Sequence, residues 1–195
     1  MSSNIYKNKT VLVTGHTGFK GSWLTAWLLK LGAKVVGFSK DIPTNPSMFH
    51  EIGLEDHIKH IVADIRDLKA ITDTITNEKP DFIFHLAAQA LVSVSYSDPI
   101  ETITTNVIGT TNILEALKQS NHHCVGIFIT SDKCYDNVEW EWGYKETDAL
   151  GGKDIYSGSK GAAEVVFKSY FHSFFKPRMR FSTASNSIFI LISFA

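Results

Sequence analysis

Two hydrophobic patterns alternate along the chain. Short apolar runs occupy residues 11–14, 34–39, 60–63, 81–86 and 124–130. Between them, apolar residues recur every three or four positions. The runs predict strands and the spaced stretches predict helices. Trp23, Leu24, Trp27, Leu28 and Leu31 predict one apolar helix face, ended by Gly32. Asp67 predicts a cap for a helix over 68–77, with Leu68, Ile71 and Ile75 on one side. Pro99 predicts the first turn of a long helix over 99–120, where its missing N–H costs nothing. A last helix is expected over 156–175. Strand–helix alternation implies an α/β fold, a doubly wound parallel sheet with helices on both faces. Uninterrupted apolar strands agree, because strands covered on both sides lose the polar alternation.

In such sheets ligands gather at the carboxyl ends of the strands. Polar or glycine-rich residues follow each predicted strand there: 15–20, 39–41, 64–65, 87–89 and 131–133. After the first strand, Gly15, Gly18 and Gly21 are spaced by three. Such glycines permit a sharp turn and close ligand approach, and the helix that follows points free N–H groups at an anion. After the fifth strand comes Tyr156-Ser-Gly-Ser-Lys160. Residues four apart share a helix face, so the Lys160 ammonium is expected to lower the Tyr156 pKa and make the phenol an acid/base group.

Bulk composition narrows the reading further. The 195 residues suffice for one real core, and 44% hydrophobic with 20% charged residues is ordinary for a globular chain. A net charge of −1 gives no reason to expect nucleic acid or an anionic membrane as partner. Cys124 and Cys134 match neither a disulfide framework nor a metal pattern, so no metal is expected and the setting is read as reducing and cytoplasmic.

Thr14-Gly-His-Thr-Gly-Phe-Lys-Gly21, Asp64-Ile65, Leu86-Ala-Ala88, Asn106 with Gly109-Thr110, Ser131 and Tyr156…Lys160 together resemble the extended short-chain dehydrogenase/reductases over residues 8 to about 175. The resemblance implies a Rossmann-type domain holding NAD and a transient oxidation of a nucleotide sugar. The segment Ser131-Asp-Lys-Cys-Tyr-Asp136, with Trp140-Glu-Trp-Gly-Tyr144, is similar to that of 4,6-dehydratases, and CDP-glucose is the implied substrate. Carried over residue by residue, Tyr156 takes the 4-hydroxyl proton and Lys160 supports it. Ser131 holds the 4-oxygen, Asp132 is the acid at the 6-hydroxyl, and Lys133 acts at C5. Gly15, Thr17, Gly18, Phe19, Lys20 and Gly21 would cradle the cofactor, with Ser39, Asp64, Ile65, Leu86, Ala87 and Ala88 lining it and Tyr156 and Lys160 completing it. No acidic residue ends the second strand. Ser39 and Lys40 stand there, with Asp41 one step late, and a lysine attracts a 2′-phosphate, so NAD and NADP both stay open. His85 reads as a packed strand residue.

The resemblance also implies a homodimer paired through the helices at 99–120 and 156–175. It assigns residues 1–178 to the cofactor domain. Residues 179–195 depart from the family pattern, and the substrate domain expected to follow has no counterpart. The expectation is a truncated product with a frame shift near residue 185.

Overall fold

The computed structural model describes residues 4–177 and 188–192. In chain order the elements are β1 (Thr10–Thr14), α1 (Phe19–Lys30), β2 (Lys34–Ser39), α2 (Met48–Glu51), β3 (Lys59–Val62), α3 (Leu68–Glu78), β4 (Phe82–His85), α4 (Val92–Ser97), α5 (Pro99–Ile103), α6 (Gly109–Gln119), β5 (Val125–Ile129), α7 (Ile155–Tyr170) and β6 (Ile188–Ile192). All strand pairs are parallel, in the order β3-β2-β1-β4-β5-β6. The chain winds outward from β1 to β3 and then returns to β4, so its direction of travel across the sheet reverses between β1 and β4. That switch point is where a doubly wound sheet opens a crevice. β6 lies in the 179–195 stretch that the sequence reading set apart, and pairs with β5 from Val125↔Ile188 to Ile129↔Ile192. The rest of that stretch, from residue 179 to 187 and from 193 to 195, falls outside the described residues.

Strand side chains alternate between two apolar layers. Leu12, Phe38, Ile83 and Phe128 meet Ile71 and Ile75 of α3, Ile113, Leu114 and Leu117 of α6, and Phe167 of α7. Val11, Val13 and Val35 face the other way, onto Leu28 of α1. Both sheet faces are therefore covered, as the unbroken apolar strands required.

Three local features depart from the expectations. On α1 the buried residues are Gly21, Ser22, Thr25 and Leu28, whereas Trp23 and Trp27 are 59% and 64% exposed. The helix packs its small residues on the sheet because a Cβ at Gly21 would lie 2.1 Å from the Gly15 carbonyl oxygen. Close approach at the glycine turn thus outranks burial of the indoles. The helix expected over 99–120 is not one regular helix: α5 and α6 are joined by a π-helical segment over Thr104–Ile108. α7 likewise runs into a π-helical segment, Phe171–Phe175. The capping expectations hold at the other ends. Asp67 accepts from the Ala70 N–H at 3.0 Å, and Pro99 sits in the first turn of α5 behind the Asp98 cap. Among the described residues, no helix is long and apolar enough to cross a membrane.

Candidate active site

The turn after β1 is built from backbone in close contact. Gly15 has φ +73°, and a Cβ there would lie 2.8 Å from the Ala87 nitrogen. Its N–H donates to the Phe38 carbonyl at 2.8 Å, and its carbonyl accepts from Gly18 N–H at 3.1 Å. Gly18 is the N-cap of α1 and offers no side-chain cap; no acidic residue follows in the first turn. With neither a side-chain cap nor an acid at its start, the positive end of this twelve-residue helix favours an approaching anion. A Cβ on Gly18 would meet only the Gly15 oxygen, at 3.4 Å, so this glycine's openness serves what approaches from outside. A dinucleotide's phosphates fit such a cradle. Around it, Thr17 is buried and donates to the Asp41 carbonyl at 2.7 Å, whereas Phe19 projects at 75% exposure. Thr17 therefore ties the turn to the end of β2.

The residues expected to serve as acid and base come together beyond the end of β5. α7 starts at an Asp154 cap that accepts from Ser157 N–H at 2.9 Å, which brings Tyr156 and Lys160, both buried, onto its inner side. The Lys160 ammonium sits 5.8 Å from the Tyr156 ring centroid. A 3-10 turn, Asp132–Cys134, follows β5; Ser131 caps it and donates to Asp132 Oδ1 at 2.9 Å. Gly161 lets α7 press on this turn, since a Cβ there would lie 3.0 Å from the Gly151 oxygen and 3.2 Å from that of Cys134.

Titration behaviour corrects one expectation. The Tyr156 pKa is raised, not lowered: burial dominates, a hydrogen bond with Ser131 opposes it, and the Asp132 and Asp154 charges add to the rise. It is Lys160 that moves toward neutrality, down to about 8, through burial and then the repulsion of Lys20 from the glycine turn. Two ammonium groups from opposite ends of the site oppose one another across it, an arrangement that a bound anion would relieve. Lys133 is exposed and its charge bears on Asp154 beside the start of α7.

Ala87 and Ala88 line a cleft with His85, Asn106, Thr130 and Lys160 at the ends of β4 and β5. Leu86 instead packs against the α1-side core. His85 is a scaffold residue as expected: buried, 2.8 Å from Thr14 Oγ1 and 3.0 Å from Thr110 Oγ1, with burial pushing its pKa down to about 3. The role of Asn106 was not legible beyond its match to the family pattern. Placed in the π-helical segment, it accepts from Gln89 N–H at 2.8 Å and donates to Ser159 Oγ at 2.8 Å, joining the turn after β4 to α7. A buried asparagine within an apolar helical stretch was the available signal.

At the far end of the crevice, Ser39 is buried and its hydroxyl lies 2.9 Å from His16 Nδ1, while His16 Nε2 lies 2.7 Å from His60 Nδ1. Ser39 is therefore committed inward, not presented as an open hydroxyl. Asp64 turns its carboxylate to Arg66, accepting from the Arg66 N–H at 2.8 Å and from its guanidinium. Ile65 is buried beside Gly109, whose missing Cβ leaves it room: one built there would lie 2.6 Å from Ile65 Cγ2.

A sequence profile described as GDP-mannose 4,6 dehydratase matches residues 12–186. CDP-glucose 4,6-dehydratase of Salmonella typhimurium is 50% identical over 177 residues, which are 91% of this chain and 49% of that protein. The UDP-glucose 4-epimerase of Thermus thermophilus, solved in complex with NAD, superposes at a TM-score of 0.74 with 28% identity, over 85% of this chain and 51% of that one. DesIV, a dTDP-glucose 4,6-dehydratase from Streptomyces venezuelae solved with NAD and DAU, shares the fold at a TM-score of 0.75 and 21% identity, over 84% and 52% of the two chains. The chain spans about half the length of these relatives. The glycine turn, the cleft at the ends of β4 and β5 and the Tyr156–Lys160 helix all lie within the matched residues, and the chain belongs to the GDP-mannose 4,6 dehydratase family.

Proposed function

We propose that this chain carries the NAD-binding and acid/base half of a nucleotide-sugar 4,6-dehydratase that converts CDP-glucose to CDP-4-keto-6-deoxyglucose. The observation that carries the reading is the meeting of the two parts of the site: Gly15 of the glycine turn lies against Ala87, and Ala87 lines the same cleft as Lys160 of the helix that bears Tyr156. Phosphate cradle and acid/base pair therefore share one crevice. The 50% identity to a CDP-glucose 4,6-dehydratase favours that nucleotide sugar.

NAD, when bound, supplies a hydride acceptor at the start of the reaction and the same hydride at its end. Gly15, Gly18, Lys20 and Gly21 would hold its phosphates, and Asp64 with Ile65 its adenosine end. Tyr156 would take the proton of the sugar 4-hydroxyl, while Ser131, hydrogen-bonded to Tyr156, steadies the 4-oxygen. With C4 at the ketone level the C5–H is acidic, and Lys133 would remove that proton. Asp132 would protonate the departing 6-hydroxyl, which leaves as water, and the proton taken from C5 would be returned there at the end of the reaction. Lys160, beside the Tyr156 ring, would hold the nicotinamide end of the cofactor.

The test is incubation of the 195-residue chain with NAD and CDP-glucose, reading the loss of one water from the sugar nucleotide by mass spectrometry. A product lacking water supports the dehydratase. Isomerised sugar of unchanged mass assigns a 4-epimerase instead, and NAD binding without turnover assigns a dinucleotide-binding remnant. We further propose a homodimer through α5–α6 and α7, supported by exposed Ile100, Ile108, Val165 and Phe174 on those helices and the π-helical segments that extend them. Sedimentation equilibrium tests it. A cytoplasmic setting is supported by the burial of both cysteines, with the Cys124 thiol pushed up to about 12 by that burial.

A further inference from the structure

Glu101, in the first turn of α5, holds one cation on each carboxylate oxygen. Lys40 Nζ, directly after β2, donates to Oε1 at 2.8 Å. Arg66, in the turn after β3, donates to Oε2. Arg66 is also forked onto Asp64, with Nη2 2.6 Å from Oδ2 and Nε 3.0 Å from Oδ1. Asp41 adds a further negative charge acting on Lys40. Each partner stabilises the others' charged form: the Glu101 and Asp64 carboxyls are held low by these cations, and Lys40 is held high. Three carboxylates thus surround two cations at the ends of β2 and β3, beside the residues assigned to the adenosine end. The end of β2 itself carries no acid, because Ser39 stands there and is turned to His16.

We propose that Glu101 is the residue that sets selectivity against a 2′-phosphate at the adenosine ribose, by occupying Lys40 and Arg66 from a helix outside the β1–β3 unit. The proposal rests on the dinucleotide reading above and deepens it. Dinucleotide folds ordinarily distinguish the two cofactors with an acid that bonds the ribose 2′-hydroxyl or a basic residue that meets the 2′-phosphate. Here the basic residues are present and are neutralised by a carboxylate from elsewhere. A 2′-phosphate, with a charge of about −2, would have to displace Glu101 from both cations to reach them. Neutralising Glu101 leaves Lys40 released and Arg66 held by Asp64 alone, so the local charge turns in favour of an added phosphate. One unit charge at a partly exposed site within contact range corresponds to about tenfold in affinity.

The test measures dissociation constants for NAD+, NADP+, adenosine 5′-monophosphate and adenosine 2′,5′-bisphosphate by isothermal titration calorimetry on the full chain, with no turnover required. Native protein is expected to prefer NAD+ over NADP+. Glu101→Gln is expected to raise NADP+ affinity relative to NAD+ by about tenfold, with the bisphosphate gaining in parallel over the monophosphate. Adding Lys40→Met to Glu101→Gln is expected to abolish that gain. A folded Glu101→Gln protein with an unchanged NADP+ to NAD+ ratio overturns the assignment. Should Glu101→Gln not fold, Lys40→Met alone decides. It leaves Glu101 less neutralised, so relative NADP+ affinity is expected to fall, and an unchanged ratio overturns the proposal. Native protein that binds neither dinucleotide overturns the cofactor reading itself, and Glu101's role with it. Native protein that binds NAD+ while the variants leave the ratio unmoved removes only the role of Glu101.

Discussion

Replacing Gly37 by alanine places a Cβ 2.3 Å from Cδ2, 2.5 Å from Cγ and 2.6 Å from Nε2 of His16. The ring is fully buried. It cannot swing aside without losing Ser39 at 2.9 Å on Nδ1 and His60 at 2.7 Å on Nε2, and Phe49 meets it edge-on at 5.2 Å between centroids. Overpacking a tight core costs about 1–3 kcal/mol. Each buried hydrogen bond given up in relief adds about 1 kcal/mol. Gly37→Ala is therefore expected to destabilise the chain by about 3 kcal/mol.

His16→Ala removes the obstacle and isolates the cause. In that background the same Gly37→Ala change enters vacated space and is expected to cost under about 1 kcal/mol, since alanine in a strand meets no clash. The coupling between the two sites is then about 2 kcal/mol, well above the few tenths seen for independent positions. Urea unfolding of native protein, both single variants and the double variant supplies the four free energies. With a slope of about 2 kcal/mol per molar urea, the Gly37→Ala midpoint is expected to fall by about 1.5 M. Additive costs, within about 0.5 kcal/mol, would refute the claim that Gly37 exists to seat the His16 ring.

The glycines of the turn separate into two kinds. Gly21→Ala sets a Cβ 2.1 Å from the Gly15 carbonyl and is expected to melt the fold's α1 contact, whereas Gly18→Ala meets only one atom at 3.4 Å and is expected to keep the melting temperature while weakening NAD binding in calorimetry. Tyr156→Phe is expected to lower CDP-glucose turnover by at least about a hundredfold with NAD affinity retained within a few-fold; full turnover would remove Tyr156 from proton transfer. His16 and His85 have folded pKa values near 4 and 3, below the ordinary 6.5, so the unfolded chain binds protons that the folded chain refuses. Stability is thus full above pH 6.5 and falls as pH drops toward 4 and then 3, by up to about 1.4 kcal/mol per pH unit for each histidine; urea midpoints equal at pH 7.5 and 5.5 would contradict this.

Much of the fold was legible because strand burial on both faces writes a dense apolar code. The limits of β2 matched the apolar run residue for residue, and those of β4 and β5 lie one residue inside theirs. What misled was α1. Periodicity assigns the core face by hydrophobicity, and the indoles of Trp23 and Trp27 dominate any such count. The helix instead turned Gly21, Ser22 and Thr25 inward beside Leu28, the one residue of the expected face that is fully buried. Backbone distance at the Gly15–Gly21 contact decided its rotation, and periodicity does not carry that information. The π-helical joint at Thr104–Ile108 was equally silent, since its apolar spacing is close to that of a regular helix and the partners of its buried Asn106, Gln89 and Ser159, come from distant elements.

The candidate site divides along the same line. Residues whose contribution is backbone geometry or local spacing, such as Gly15, Gly21 and the Tyr156–Lys160 pair, were identifiable because the pattern itself states the geometry. Residues whose state depends on partners from distant elements were not. Tyr156 illustrates the difference: spacing placed a lysine near it and implied a lowered pKa, yet burial raises it, and the depressed group is Lys160. The same holds for Ser39 and Lys40. Read in order they form an open, basic end to β2. In the folded chain Ser39 is engaged by His16 and Lys40 by Glu101, from elements far along the sequence. The electrostatic character of the crevice at the ends of β2 and β3 is therefore a property of the assembled loops, and a substitution in α5 is expected to alter it more than one at Ser39 itself.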